Sequence, residues 1–310
     1  MHPPARPATI GDLSPAALRN TLSIGLRFRV GAFNITARSS LPSVAEGIAA
    51  VYPDYPILEH DAFIDFAVRV ATPLGARAVV RPQVNFQFDG YQPFKPLPQA
   101  QAFPLLEWGL NWCAANHAHQ YVISHAAVVE KAGRALILPG TPGSGKSTLC
   151  AALIQRGWRL LSDELTLTDP ESGMIIPLPR PVSLKNQSID VIRSFAPETV
   201  FSAAAYDTLK GTVAHLRAPH ASIVRDNEPV LPAWLVFPKY QTGVTLQLTP
   251  LNRGQALMRL ADNTFNYSVL GLTAFRTLSD LVRRCDCYDF TYSELDDAIQ
   301  TFDTLAETQR

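Results

Sequence analysis

Arg134-Ala135-Leu136-Ile137-Leu138-Pro139-Gly140-Thr141-Pro142-Gly143-Ser144-Gly145-Lys146-Ser147-Thr148-Leu149 is the stretch on which the fold turns. Residues 140–147 fit the pattern G-x-x-x-x-G-K-[ST] in full. The glycines of that pattern let the backbone curl until successive N–H groups face phosphate oxygens, and the loop runs into a helix N-terminus whose dipole favours anions. Lys146 then reaches the terminal phosphates, and the Ser147 hydroxyl completes the coordination of Mg²⁺. Ordinary residue usage gives the pattern by chance in roughly one of a hundred chains of this length. The setting narrows that further, because an apolar run precedes the loop and Leu149, Leu153 and Ile154 follow it at helical spacing. Gly140, Thr141, Pro142, Gly143, Ser144, Gly145, Lys146, Ser147 and Thr148 are therefore the expected nucleotide-binding residues, with ATP and Mg²⁺ as cofactors.

Downstream, Arg159-Leu160-Leu161-Ser162-Asp163-Glu164 reads as an apolar strand ending in two carboxylates, seventeen residues beyond Lys146. A carboxylate at the tip of the strand beside a phosphate loop can hold the metal or its water, or take the proton of an attacking hydroxyl. Ser147, Asp163 and Glu164 are the expected metal contacts. His125 stands fifteen residues before Gly140, in Ile123-Ser124-His125-Ala126-Ala127. A lone histidine in an apolar strand is more often a packed core residue, and its neighbours alone do not decide its role. Arg180 and Lys185 could add cations beside a polyphosphate, although cations on a solvated strand are commoner. His117 and His119 lack a third ligand, Cys285 and Cys287 read as packing on one strand face, and Cys150 reads as core.

The chain has 310 residues, room for one large or two modest domains. Lys plus Arg and Asp plus Glu both total 27, and charged residues make up 17%. That balance excludes the broad cationic surface that DNA or RNA binding requires. No apolar run approaches the roughly 18 residues that span a bilayer, so no membrane partner is expected. The first fifteen residues hold no compact apolar region, so no secretory signal is expected, and four cysteines are too few for a disulfide scaffold. A cytoplasmic setting follows as the expectation.

Leu22, Ile24, Leu26, Phe28 and Val30 alternate with small or charged residues, and Phe33 and Ile35 resume the period after Gly31, which predicts a hairpin. A short helix over 44–51 and strands over 63–70, 78–80 and 84–88 complete a small, mostly antiparallel α+β module. Residues 91–104 hold four prolines and read as a connection. A helix over 105–116 follows, then strands over 122–129 and 134–138, the helix opened by the loop, and a strand over 158–161. Strand, helix, strand with short joints predicts a parallel sheet. Beyond it, 174–184, 234–237 and 244–248 read as extended, and 253–262 and 267–284 as helical. A last helix carries Leu295, Ile299, Phe302 and Leu305 on one stripe, with Ser293 as N-cap.

Taken together, HAAVVEKAGRALILPGTPGSGKSTLCAALIQRGWRLLSDE, residues 125–164, resembles the catalytic core of HPr kinase and its relatives, bacterial serine kinases with a fold similar to that of phosphoenolpyruvate carboxykinase. The resemblance covers residues 120–310, is strongest up to 170, and looks closest to the HPr-kinase-related kinase A group. It aligns the family's histidine with His125, its R-G with Arg156-Gly157, and its paired aspartates with Asp163 and Glu164. It implies that Asp163 is the general base for a substrate serine, with His125 near the transferred phosphate and tuning that carboxylate, and Lys146 as a third catalytic residue. Arg253, before a helix in Pro250-Leu251-Asn252-Arg253-Gly254, is the counterpart of a later family arginine. The chain departs from the family at Glu164, one methylene longer than aspartate, and at Leu209-Lys210-Gly211, where the family's glutamate has no acidic equivalent.

The expectation is thus an α/β protein, α+β overall, with a P-loop kinase core of HPr kinase and phosphoenolpyruvate carboxykinase type at 105–310 and an N-terminal α+β module at 1–104 for substrate or partner recognition. Its expected function is ATP-dependent transfer of the γ-phosphoryl to a serine hydroxyl of a protein or peptide, with a homo-oligomer implied by the family's hexamers. The alternatives are a nucleotide-binding regulatory protein without kinase activity, and a kinase of a small hydroxyl compound such as serine.

Overall fold

The computed structural model describes residues 8–73, 81–141 and 143–308; Pro142 and the strand expected over 78–80 lie outside the described residues. The chain is mixed α/β, with several sheets and ten α-helices among the described residues. It forms two compact units: one runs to residue 113 and regains 200–217, and the other comprises 114–199 and the chain from 218 on. The sequence reading places one cut at 104.

In the first unit α1 (Pro15–Ile24) starts where Ser14 accepts a hydrogen bond from the Ala17 N–H at 3.2 Å and Pro15 supplies a preset φ. This corrects the expected strand start, because Leu22 and Ile24 belong to α1, where Leu18 and Leu22, four apart, are both buried. β1 (Leu26–Val30) and β2 (Phe33–Arg38) form the predicted hairpin, burying Leu26, Phe28, Val30, Phe33 and Ile35 and turning Arg27 and Arg29 to the other face. After α2 (Pro42–Val51), β3 (Phe66–Ala71) pairs parallel with β2, and β4 (Gln83–Phe88) and β5 (Leu97–Pro98) follow antiparallel, in the order β1-β2-β3-β4-β5. The proline-rich stretch is therefore part of the unit and not a free connection. β5 is the edge strand, where a proline's missing N–H leaves no ladder bond unmade. α3 (Ala102–His117) packs so tightly that a Cβ on Gly109 would lie 2.0 Å from Phe86 Cε2.

The second unit begins with β6 (Val122–Ser124), β7 (Ala126–Lys131) and β8 (Arg134–Pro139). Then come α4 (Lys146–Ile154), β9 (Arg159–Ser162), β10 (Thr166–Thr168), β11 (Ile175–Ile176), β12 (Val182–Lys185) and α5 (Gln187–Phe195). β7 and β8 are an antiparallel hairpin closed by Ala132 and Gly133, both at positive φ, as a two-residue primed turn requires. β9 pairs antiparallel with β7, so the unit β8-α4-β9 does join two parallel strands, but β7 lies between them. The expected parallel pair is present in orientation, but the sheet is mixed, because the antiparallel β7 separates β8 from β9.

Residues 200–217 then supply β13 (Ala205–Thr208) and β14 (Gly211–Leu216) to the first unit. Gln101 Nε2 donates to the Tyr206 and Asp207 carbonyls at 3.3 and 3.1 Å, and Arg217 Nη2 to the Ala50 carbonyl at 2.6 Å. The chain returns through α6 (His220–Val224), β15 (Leu231–Tyr240), β16 (Gln247–Pro250), α7 (Arg253–Asp262), α8 (Tyr267–Leu270), α9 (Leu272–Arg284), β17 (Asp286–Tyr292) and α10 (Leu295–Thr308). The helix expected over 267–284 is broken at Gly271, where φ is +52°. Ser293 does not cap α10; its hydroxyl donates to the Val244 carbonyl at 3.1 Å. The main sheet has the order β16-β17-β15-β8-β7-β9, with β8, β15 and β17 mutually parallel. One face buries Val128, Ile137, Leu235 and Phe237 with Leu260, Leu278 and Leu281 of α7 and α9. No helix among the described residues is long and apolar enough to cross a membrane.

Candidate functional site

β8, β15 and β17 run parallel, so Pro139, Tyr240 and Tyr292 end on one side of the sheet, and the glycine loop leaves β8 there. The Tyr240 N–H donates to the Ser144 carbonyl at 2.9 Å, and the Tyr292 hydroxyl to the Gly145 carbonyl at 3.2 Å. Within the loop the Ser144 N–H donates to the Thr141 carbonyl at 3.1 Å. Gly145 stands immediately before α4 with φ +86°, and a Cβ there would come within 2.6 Å of Tyr292 Oη and 2.8 Å of Tyr240 Cβ. Only glycine satisfies both the left-handed backbone and the close approach of the two tyrosines.

α4 carries Lys146 at its first position, only 7% exposed, and its Nζ has no hydrogen-bond partner. Burial lowers the Lys146 pKa, opposed by the charges of Asp163 and Glu164. Asp163, directly after β9, is 3% exposed, and its Oδ2 accepts from the Ser183 N–H at 3.1 Å. Burial, with the Glu164 charge adding to it, raises the Asp163 pKa to about 6, while Lys146, the Ser147 hydroxyl and the Ser183 N–H pull it down. Oδ1 has no hydrogen-bond partner of good geometry, although the Ser147 hydroxyl is near enough to help hold the charge.

The two adjacent acids face different partners. Glu164 Oε2 lies 3.6 Å from His125 Nε2, and Oε1 lies 3.9 Å from Lys185 Nζ. His125 sits between β6 and β7 with a side chain 26% exposed, held by its N–H to the Asn263 carbonyl at 2.6 Å and by its ring against Phe265. It is thus neither a core histidine nor a strand residue, and the carboxylate the structure gives it is that of Glu164. Arg180 is buried just before β12, the strand whose Ser183 holds Asp163. Lys146, Ser147, Asp163, Glu164, His125 and Lys185 are brought together in this way.

Arg253 is not. It opens α7, and its charge acts on the buried Cys285 and Cys287 thiols, where burial dominates and pushes Cys287 up to about 11. Cys287 lies five residues upstream of Tyr292 on β17, about 16 Å from the loop end of the strand at about 3.3 Å per residue. Cys285, extended and lying between α9 and β17, and Cys287 on β17 are both buried in one core cluster, in keeping with their reading as packing residues. His117 and His119 are exposed.

Three contributors were missed in the sequence: Tyr240, Tyr292 and Ser183. The parallel register of β15 with β17 brings the tyrosines to the loop, and no short-range pattern encodes it. Among the described residues no group of three or more His, Cys, Asp or Glu could hold a metal. Ser147 and Asp163 do offer hard oxygen donors, and two such donors suit Mg²⁺, which keeps most of its shell as water and substrate phosphate. The partnerless buried ammonium of Lys146 and the glycine cradle at 145 likewise fit a polyphosphate.

Fold and site together define a mixed α/β protein in which a glycine loop between a strand and a helix lies beside a buried carboxylate. Compared with family models and with curated proteins, the chain matches none.

Proposed function

We propose that this protein is an ATP- and Mg²⁺-dependent kinase with a P-loop core of the HPr kinase and phosphoenolpyruvate carboxykinase type, transferring the γ-phosphoryl group to a serine hydroxyl of a protein or peptide. The observation that carries the proposal is the buried, partnerless Lys146 ammonium at the start of α4, with the raised-pKa carboxylate of Asp163 beside it. A cation shielded from water and without a hydrogen-bond acceptor is costly unless an anion completes it.

Loop N–H groups and Lys146 hold the triphosphate, and the Ser147 hydroxyl would hold the metal, which when bound would neutralise phosphate charge. The acceptor hydroxyl attacks the γ-phosphorus, the bond from that phosphorus to the bridging oxygen of ADP breaks, and the hydroxyl proton passes to Asp163. A pKa near 6 leaves Asp163 ionised at neutral pH yet basic enough to accept that proton. Glu164, beside His125 and Lys185, adds a second carboxylate next to Asp163. The acceleration is mainly positioning and charge stabilisation.

The test is to incubate the protein with γ-labelled ATP and a lysate from its own source, then separate macromolecular from small labelled products. Label on protein or peptide serine is the expected result. Label on a small hydroxyl compound alone, or no label beyond slow hydrolysis, would overturn it in favour of a small-molecule kinase or a nucleotide-gated regulator.

A further inference from the structure

The helix-free face of the first unit's sheet carries a groove of about 410 Å³ lined by Arg27, Arg38, Arg69, Thr36, Gln87 and Asp89 among others. Strand alternation places these side chains opposite the buried Phe28, Ile35, Val68 and Phe86. Arg38 and Arg69 are register partners across the parallel pair β2 and β3, so two guanidinium-bearing side chains stand directly opposite each other. Such a like-charge pair opposes sheet formation. Neither arginine is in an ion pair with any described residue, although the chain holds as many acids as bases. The third, Arg27, is fixed by its Nη2, which donates to the Ala62 carbonyl, and its Nε is buried without a partner. Three cations thus face one carboxylate, that of Asp89.

We infer that this face of the N-terminal sheet is a docking site for an acidic, extended peptide segment. Planar guanidinium forks take carboxylates in bidentate pairs, and Arg38 and Arg69 side by side offer two forks to one ligand. Thr36 and Gln87 beside them can bond peptide amides. Three cations in a groove of this volume neutralise too few phosphates to track a nucleic-acid backbone, and the chain's zero net charge supplies no wider field. That the segment belongs to the phosphate acceptor rests on the kinase reading above; the docking itself does not.

The test uses the full chain and a fluorescein-labelled poly-glutamate peptide, with binding read by anisotropy at low salt. The wild type binds, and the double variant Arg38→Gln, Arg69→Gln binds about tenfold more weakly or worse, with ATP affinity unchanged. Asp89→Asn, which removes the opposing carboxylate at a positive-φ position asparagine tolerates, binds more tightly than wild type. Equal binding by the double variant, no binding by wild type, or displacement of the peptide by a single-stranded RNA oligonucleotide at lower concentration would each overturn the inference. Because ATP affinity is read on the same samples, failure of the nucleotide site leaves the peptide result standing, and the reverse holds too.

Discussion

At the tip of β9, burial and the neighbouring Glu164 hold the Asp163 carboxyl at about 6, well above its ordinary 3.8. The folded chain therefore keeps this proton over a window in which the unfolded chain has lost it. Asp163's contribution to stability is fully present below pH 3.8 and is lost as pH rises through about 6. Asp163→Asn should remove that loss, so the variant melts higher than wild type at pH 7 and the difference shrinks toward pH 4, as thermal scans across pH would show. Each pKa unit is worth about 1.4 kcal/mol, so the gain is at most a few kcal/mol. Under the proposed kinase mechanism the transfer rate should climb through about pH 6 and level off above it, since only the ionised carboxylate accepts a proton. Lys146→Ala should weaken ATP binding by about tenfold or more, measured by calorimetry, because the loss removes a charge-assisted contact. It should also raise the Asp163 pKa further, since Lys146 is the largest influence lowering it.

Among the elements, the loop and α4 depend on two tyrosines that arrive from β15 and β17. Gly145→Ala would force a Cβ into Tyr292 and Tyr240 at a left-handed φ. Nucleotide binding should be lost while the far-UV circular dichroism stays near wild type, with a destabilisation of about 1–3 kcal/mol. At the far side of the sheet, Asp303 of α10 accepts from Lys131 Nζ at 2.6 Å and from Trp158 Nε1 at 2.8 Å. Asp303→Ala should cost about 1–3 kcal/mol in urea unfolding, because the Trp158 N–H loses its acceptor. At this scale the sequence was legible where a backbone conformation demands a residue type, as with the glycines at fixed offsets in the loop, and where alternation marks β1 and β2; α1 was missed, although Ser14-Pro15 opens it. The sequence was not legible where pairing over long separations decides. β7 enters between β8 and β9 because of its hairpin, and Tyr240 reaches Ser144 only through the register of β15 with its neighbours. The apolar neighbours of His125 did not decide its role; strand pairing is interrupted there, between β6 and β7, and its ring lies beside Glu164.

Over the whole molecule, the first unit is discontinuous, since β13 and β14 return to it from residues 200–217. A cut at 104 would part them from Gln101 and Ala50, to which they are hydrogen-bonded. A fragment of 105–310 should therefore expose Val213, Ala214 and Leu216, all buried in the full chain, and should bind hydrophobic dye and aggregate where the full chain does not. The composition of 91–104 hid this, because prolines suit an edge strand as well as a connection. The zero net charge, by contrast, was informative at this scale: it leaves any phosphate binding to backbone N–H groups and a few local cations.

The most direct test is a paired measurement on wild type and Asp163→Asn: Mg²⁺-ATP affinity by calorimetry, and label transfer from γ-labelled ATP to macromolecular serine. The account predicts similar affinity in both proteins and transfer reduced by about 10²–10⁴-fold in the variant. Transfer by Asp163→Asn at the wild-type rate, or no nucleotide binding by wild type, would contradict it.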